Sequence, residues 1–168
     1  MASSSIARQL LSKQLVELTK DETNGFSVGL EDDSDLFKWR VCFEGPQDSV
    51  YEGGLFTAVL SFPSDFPNSP PTMQFETEMF HPNVYPDGKV CISILHPPGT
   101  DQFNEQETAD ERWRPILGVE SILMSVLNMM LEPNPSSPAN MDAAVMYREQ
   151  NKDWKKKVRA LARKSIEG

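Results

Sequence analysis

Between Phe26 and Phe75 the chain passes through four strand-like segments with little sequence between them. Segments 26–30, 36–44, 55–62 and 72–75 are bounded by turn residues, among them Gly45-Pro46, Gly53-Gly54, Pro63 and Pro70-Pro71. A parallel pair needs a crossover of about a dozen residues or more, usually a helix. The connecting segments 31–35, 45–54 and 63–71 are shorter than that. An antiparallel meander is therefore expected. Segment 36–44 alternates Phe37, Trp39, Val41 and Phe43 on one face with Lys38, Arg40, Cys42 and Glu44 on the other, so one face is expected to be buried.

Helical patterns flank this sheet. Ile6, Leu10, Leu11, Leu15 and Leu18 recur at helical spacing, and the preceding Ser3-Ser4-Ser5 run offers N-cap hydroxyls. Val119, Ile122, Leu123, Val126, Leu127, Met130 and Leu131 form the strongest helical repeat in the chain, which the proline-rich stretch 133–138 stops. Two further helices are expected over 139–150 and 152–166, the second burying Trp154, Val158 and Leu161. The expected class is α+β: an N-terminal helix, a four-stranded antiparallel sheet, an irregular segment, then helices. No repeat, low-complexity tract or Gly/Ser linker divides the 168 residues, so 1–168 reads as a single domain.

Charge excludes some functions. With 25 acidic residues against 16 basic, a net charge of -9, the chain lacks a basic surface for nucleic acid or anionic lipid. In segment 152–168 seven basic residues oppose Asp153 and Glu167, a net +5, which leaves -14 on residues 1–151. Acidic density peaks at Glu31-Asp32-Asp33 and again between Asp101 and Glu111. The longest mostly apolar run, 121–131, is well short of the ~20 residues that span a bilayer, and the first residues show no signal peptide. The two cysteines, Cys42 and Cys91, are too few to staple a fold and fit a reducing compartment. They lack metal-ligand spacing, so no metal site is expected. At this level the chain reads as a soluble intracellular protein.

From Phe80 to Pro115 the periodicity fades and prolines and glycines gather, the kind of backbone on which functional groups are often mounted. Cys91 lies here, in Lys89-Val90-Cys91-Ile92-Ser93-Ile94-Leu95, after the turn Pro86-Asp87-Gly88. A cysteine among apolar neighbours is most often a small buried hydrophobe. The wider string points elsewhere. His81-Pro82-Asn83 precedes the cysteine and Trp113-Arg114-Pro115 follows it. Together with the N-terminal helix, Tyr51-Glu52-Gly53-Gly54, Phe62-Pro63, Pro70-Pro71 and Pro138-Ala139-Asn140, this order resembles ubiquitin-conjugating enzymes over nearly the whole chain.

The resemblance implies the fold of those enzymes and a Cys91 that accepts the ubiquitin C-terminal glycine as a thioester, then passes it to a lysine amine. Thiolate chemistry suits both steps, since sulfur attacks well and leaves well. The implied partners are ubiquitin, an activating enzyme, a ubiquitin ligase and protein substrates. No cofactor is implied for this chain, because ATP is used by the activating enzyme upstream. The chain is expected to be a monomer in cytoplasm and nucleus, with recruitment to the endoplasmic reticulum membrane only through a partner.

Residue roles follow from the same resemblance. Asn83 matches the asparagine assigned to oxyanion stabilisation, and bracing of its own loop is the alternative. His81, beside Pro82, matches a structural histidine. His96 lies in the loop after the nucleophile, where it either influences access and acidity or is simply solvated. Many relatives follow the cysteine closely with Trp-x-Pro, whereas this chain carries an acidic insertion at about 97–111 with Asp101, Glu105, Glu107, Asp110 and Glu111. Such an insertion resembles that of a chain-building subset, in which it orients the acceptor ubiquitin; a solvated surface loop is the plainer reading. Ser137 stands where many relatives place a carboxylate, so the base for the attacking lysine is missing at that position.

The ligase surface implied by the family combines the first helix with Phe66-Pro67-Asn68 and Arg114-Pro115-Ile116, so that Phe66, Asn68, Pro115 and Ile116 are the candidate contacts. A rival reading is a thiol hydrolase using Cys91 with His81 or His96. Such a pair needs a third orienting group, which no residue in the sequence obviously supplies. A non-catalytic ubiquitin-binding variant is the second rival, and the presence of Cys91 stands against it.

Overall fold

The computed structural model describes residues 2–20, 25–99 and 107–167, without the side chains of residues 2–4. Helix α1 (Ala2–Thr19) precedes β1 (Phe26–Asp32), β2 (Asp35–Glu44), β3 (Leu55–Ser61) and β4 (Thr72–Phe75). Helices α2 (Val119–Leu131), α3 (Met141–Glu149) and α4 (Asn151–Ser165) follow. The strands lie side by side in chain order, each antiparallel to the next. This is the α+β meander that the short connections demand.

Alternation along β2 decides the inner face. Trp39, Val41 and Phe43 are fully buried and pair with Leu60, Ala58 and Phe56 of β3, which are buried as well. Lys38, Arg40 and Glu44 face solvent, with Cys42 half-buried among them. Met73 and Phe75 of β4 join the same core as Ile122, Leu123, Val126 and Met130 of α2. A one-residue slip would turn this apolar set outward, at about 1.5–3 kcal/mol for each large side chain exposed. The register is held by that cost.

The element ends depart from the sequence-based expectations. Helix α1 starts at Ala2, so Ser3 to Ser5 lie inside its first turn and not ahead of it. Its buried line is Ala7, Leu11 and Leu18, while Ile6 is 54% exposed; the small Ala7, not Ile6, is the residue against the core. Strand β1 runs on through the acidic cluster because Asp32 Oδ1 closes the hairpin, accepting from Ser34 N at 2.9 Å and Ser34 Oγ at 2.8 Å. Helix α2 buries Met129 and leaves Leu131 half-exposed. Helix α4 buries Ala162 more completely than Leu161. Helix α3 starts at Met141 and not at 139, because Asn140 caps it: its Oδ1 accepts from Ala143 N at 3.1 Å. No helix among the described residues is long and apolar enough to cross a membrane.

One turn fixes how the chain after β4 returns to the sheet. Gly88 has φ +102°, and a Cβ there would lie 2.3 Å from Phe75 O. Its carbonyl accepts from Phe75 N at 2.8 Å, and its N–H donates to Tyr85 O at 2.8 Å. Both the left-handed backbone and the close approach require glycine. Gly88→Ala is expected to lower the unfolding free energy by about 1–3 kcal/mol, read as a lower urea midpoint with an unchanged m value. An unaltered midpoint would show that the turn relaxes without cost.

Candidate active site

The stretch before Cys91 is laid along β4. Val90 N donates to Met73 O at 3.0 Å, and isolated antiparallel bridges join Gln74 to Lys89 and Val84 to Val90. Cys91 sits where this pairing ends. Its N–H donates to Asn83 O at 2.9 Å, and the chain then leaves through a 3-10 turn, Ser93–Leu95. The half-buried thiol opens onto a cleft lined by Asn83, Ser93, His96, Glu107, Glu111, Glu132, Asn134 and Ser137, among others.

His81 lies beneath this segment with no solvent exposure. Its Nε2 is 2.7 Å from Met129 O, so Nε2 carries the proton and donates. Nδ1 is then the acceptor, taking the Asn83 N–H at 2.9 Å. Burial pushes the His81 pKa down to about 4, and the bond to Met129 only partly opposes this. A neutral imidazole with both nitrogens committed is a bracket. Beside it, the Pro82 carbonyl accepts from Ala139 N at 2.8 Å and Asn140 N at 3.1 Å, tying the tripeptide to the start of α3.

Asn83 is 5% exposed and braces its surroundings. Its Nδ2 donates to Asn134 O and its Oδ1 accepts from Asn134 N, both at 2.9 Å. This pairing holds the Pro133–Pro135 turn across the cleft from Cys91. An amide nitrogen carries two hydrogens, and Asn134 takes one of them.

His96 departs from the solvated alternative. Its Nε2 lies 3.6 Å from Cys91 Sγ, and its Nδ1 lies 2.9 Å from Glu107 Oε2. Glu107 in turn is nearly buried, not a solvent-facing loop acid as its composition implied. Ser93 Oγ donates to its Oε2 at 2.7 Å, and Arg112 Nε pairs with Oε1 at 2.8 Å. That Arg112 N–H is not aligned as a hydrogen bond, so the guanidinium supplies charge and leaves the oxygen lone pairs to His96 and Ser93. Burial alone would raise the Glu107 carboxyl. The bonds from His96 and Ser93, with the Arg112 charge, outweigh it and hold the group below its ordinary value. Glu107 is thus the third orienting group that the sequence did not reveal. Neither it nor Ser93 and Arg112 carried a spacing signal, because the grouping is made by Glu107 of the insertion packing back onto residues that flank it.

The thiol is not an activated one. Burial pushes Cys91 up and the Glu107 charge adds to this; Tyr85 and Lys89 pull the other way without reversing it.

The remaining candidates scatter. Asp110 is exposed and stands 4.0 Å from Arg114, while Glu111 and Ser137 are exposed at the cleft. Asp101 and Glu105 lie outside the described residues. Asn68, Pro115 and Ile116 are exposed, Ile116 at 84%. Phe66 is a correction: it is 1% exposed, packed against Phe62 at 5.1 Å and Trp113 at 5.7 Å between ring centroids, so it supports a contact surface from below and does not form it. Cys42 is on the outer sheet face, in register with Ser27 and Thr57. Among the described residues no group of three or more His, Cys, Asp or Glu is placed to hold a metal ion.

A family model described as "Ubiquitin-conjugating enzyme" matches residues 10–162, spanning every strand and the whole of this site. The chain belongs to the ubiquitin-conjugating enzyme family. It is 56% identical over 98% of both chains to ubiquitin-conjugating enzyme E2 15 of Schizosaccharomyces pombe. Against ubiquitin-conjugating enzyme E2 G2 of Bos taurus it is 44% identical over 99% of each. The solved structure of human ubiquitin-conjugating enzyme E2 G1 superposes with a TM-score of 0.66 at 50% identity, covering 75% of this chain and 95% of that one. Membership makes the protein a ubiquitin-conjugating enzyme and implies ubiquitin, an activating enzyme and ligases as its partners.

The buried His81 gives this ubiquitin-conjugating enzyme an acid-labile core. Its folded pKa is about 4, below the ~6.5 of a free imidazole, so the unfolded chain binds the extra proton between these values. The contribution is intact above about pH 6.5 and is lost as pH falls toward 4, by up to about 3 kcal/mol. Urea titrations at pH 7 and pH 4.5 are expected to show the decline, and His81→Gln a shallower one from a lower starting stability. Equal slopes would place the acid sensitivity elsewhere.

Proposed function

We propose that the protein accepts ubiquitin from its activating enzyme as a thioester on Cys91 and transfers it to a lysine amine, building polyubiquitin chains with a ligase. The observation that carries this reading is Cys91 itself: a half-buried thiol on a backbone fixed by Asn83, open to a cleft. In loading, Sγ forms the bond to the ubiquitin glycine carbonyl carbon, the bond from that carbon to the activating enzyme's sulfur breaks, and the Cys91 proton goes to the departing sulfur, so that one thioester and one thiol replace another pair. A thiol that is not activated suffices for so balanced an exchange. The spare Nδ2 hydrogen of Asn83 is the candidate oxyanion donor, a role worth about 2.7–4 kcal/mol where such donors have been tested. The exposed Asn68, Pro115 and Ile116, with α1, form the candidate ligase surface.

The Cys91–His96–Glu107 alignment also favours a second reading, thiol hydrolysis. Against it stands the Cys91 pKa, raised where a nucleophilic Cys–His pair requires it lowered.

Incubation with activating enzyme, ATP and ubiquitin, followed by a non-reducing gel, is expected to give a reductant-sensitive adduct, a stable ester in Cys91→Ser and nothing in Cys91→Ala. Absence of an adduct from folded wild type, or its persistence in Cys91→Ala, would defeat the proposal. Release of the ubiquitin at a rate insensitive to added amine would establish the hydrolase. For chain building, neutralising Asp101, Glu105, Asp110 and Glu111 together is expected to reduce ubiquitin–ubiquitin linkage by about tenfold at low salt, with the deficit shrinking as salt screens it. Glu107 is left intact in that variant, since it supports His96. Unchanged linkage would mark the insertion as surface loop.

A further inference from the structure

The attacking lysine meets a site with no carboxylate at position 137. A lysine amine ordinarily titrates near 10.4, so at neutral pH it arrives as an ammonium and has to lose a proton before its nitrogen can attack. Ser137, exposed at the cleft, has no basic oxygen to take it. The described cleft holds a different acceptor. Glu107 is an ionised, acceptor-only carboxylate, so the His96 nitrogen 2.9 Å away, Nδ1, is the one that carries hydrogen. The Nε2 lone pair is thereby turned toward Cys91 Sγ at 3.6 Å. His81, the other histidine, has both nitrogens committed and is buried, so it does not compete for this role.

We propose that His96, oriented by Glu107, accepts the proton of the incoming lysine ammonium beside the Cys91 thioester, in the role that Ser137 does not fill. The ring is held for this. The 3-10 turn closes with His96 N donating to Ser93 O at 2.9 Å, and Trp113 N donates to His96 O at 3.1 Å. The imidazolium that forms faces Glu107 directly, with Glu111 and Glu132 on the same cleft; Arg112 offsets part of that negative charge. Lys89 and Tyr85 act on the thiol.

His96 Nε2 takes one proton from the ammonium, and the neutral amine forms a bond to the ubiquitin carbonyl carbon. The carbon–sulfur bond breaks, and the second proton released by nitrogen goes to the departing Cys91 sulfur. The products are an isopeptide amide, a thiol and an imidazolium, which returns its proton to water.

This inference rests on Cys91 carrying the thioester, and the test separates the two. Enzyme already charged with ubiquitin is freed of activating enzyme and mixed with free lysine from pH 7 to 10, and in parallel with hydroxylamine, an amine neutral at pH 7. At pH 7 His96→Gln is expected to discharge to lysine about 100-fold more slowly than wild type, and Glu107→Gln to show a smaller loss through misorientation of the ring. Both deficits should narrow as pH rises and the free amine becomes abundant. Discharge to hydroxylamine should fall far less than discharge to lysine. Equal losses with both amines at every pH, or no loss with lysine, would overturn the inference while leaving the thioester intact. His96 is part-exposed, with its side chain at 30%, and Glu107→Gln is isosteric, so each variant is expected to fold. If wild type forms no thioester at all, the proposed function fails first.

Discussion

The site hangs on one buried imidazole. His81 bonds the last turn of α2 through Met129 O and, through its other nitrogen, the backbone N–H of Asn83. Asn83 then holds Cys91 by its carbonyl and Asn134 by its side chain, while Pro82 receives the start of α3. Three parts of the chain that are distant in sequence are thus fixed relative to the thiol by a ring that must stay neutral. A charged His81 would need to donate from both nitrogens, and Asn83 N–H is itself a donor. Protonation therefore breaks the bracket at the point from which the cysteine is positioned.

The two histidines show how partner type assigns role. A backbone carbonyl and a backbone amide commit both nitrogens of His81, and full burial keeps it neutral. A carboxylate on Nδ1 holds the hydrogen there and leaves the opposite nitrogen of His96 open toward Cys91. The same side chain is a structural pin in one place and a proton acceptor in the other. Geometry, more than residue type, separates them.

Legibility in sequence tracks how local the determining interaction is. The strands were readable because alternation and short connections act within a few residues, and segment 72–75 was placed to the residue. Helix starts were less so: serines ahead of α1 matched a capping pattern, but the helix begins before them. Phe66 was placed on the ligase surface by the family's loop position and Glu107 in a solvated loop by composition; the first is buried against Trp113, distant in sequence, and the second within the Ser93–His96–Arg112 group. Cys91 and Asn83 were marked by an ordered string of motifs, whereas the orienting carboxylate followed from tertiary return alone.

The raised thiol and the His96 base fit together in time. In the free enzyme the Cys91 sulfur stays protonated, and its hydrogen is the natural partner of the Nε2 lone pair at 3.6 Å. Acylation replaces that hydrogen with the ubiquitin carbonyl carbon. The lone pair then loses its partner while Glu107 continues to hold the ring in place. On the proposed mechanism, the acceptor for the lysine proton becomes available when a thioester is present to be attacked. An ion-paired thiolate would give the opposite arrangement, with the imidazole already protonated before ubiquitin arrives and no base left for the amine. The burial that makes Cys91 a reluctant nucleophile therefore preserves His96 as a base for the second half of the reaction.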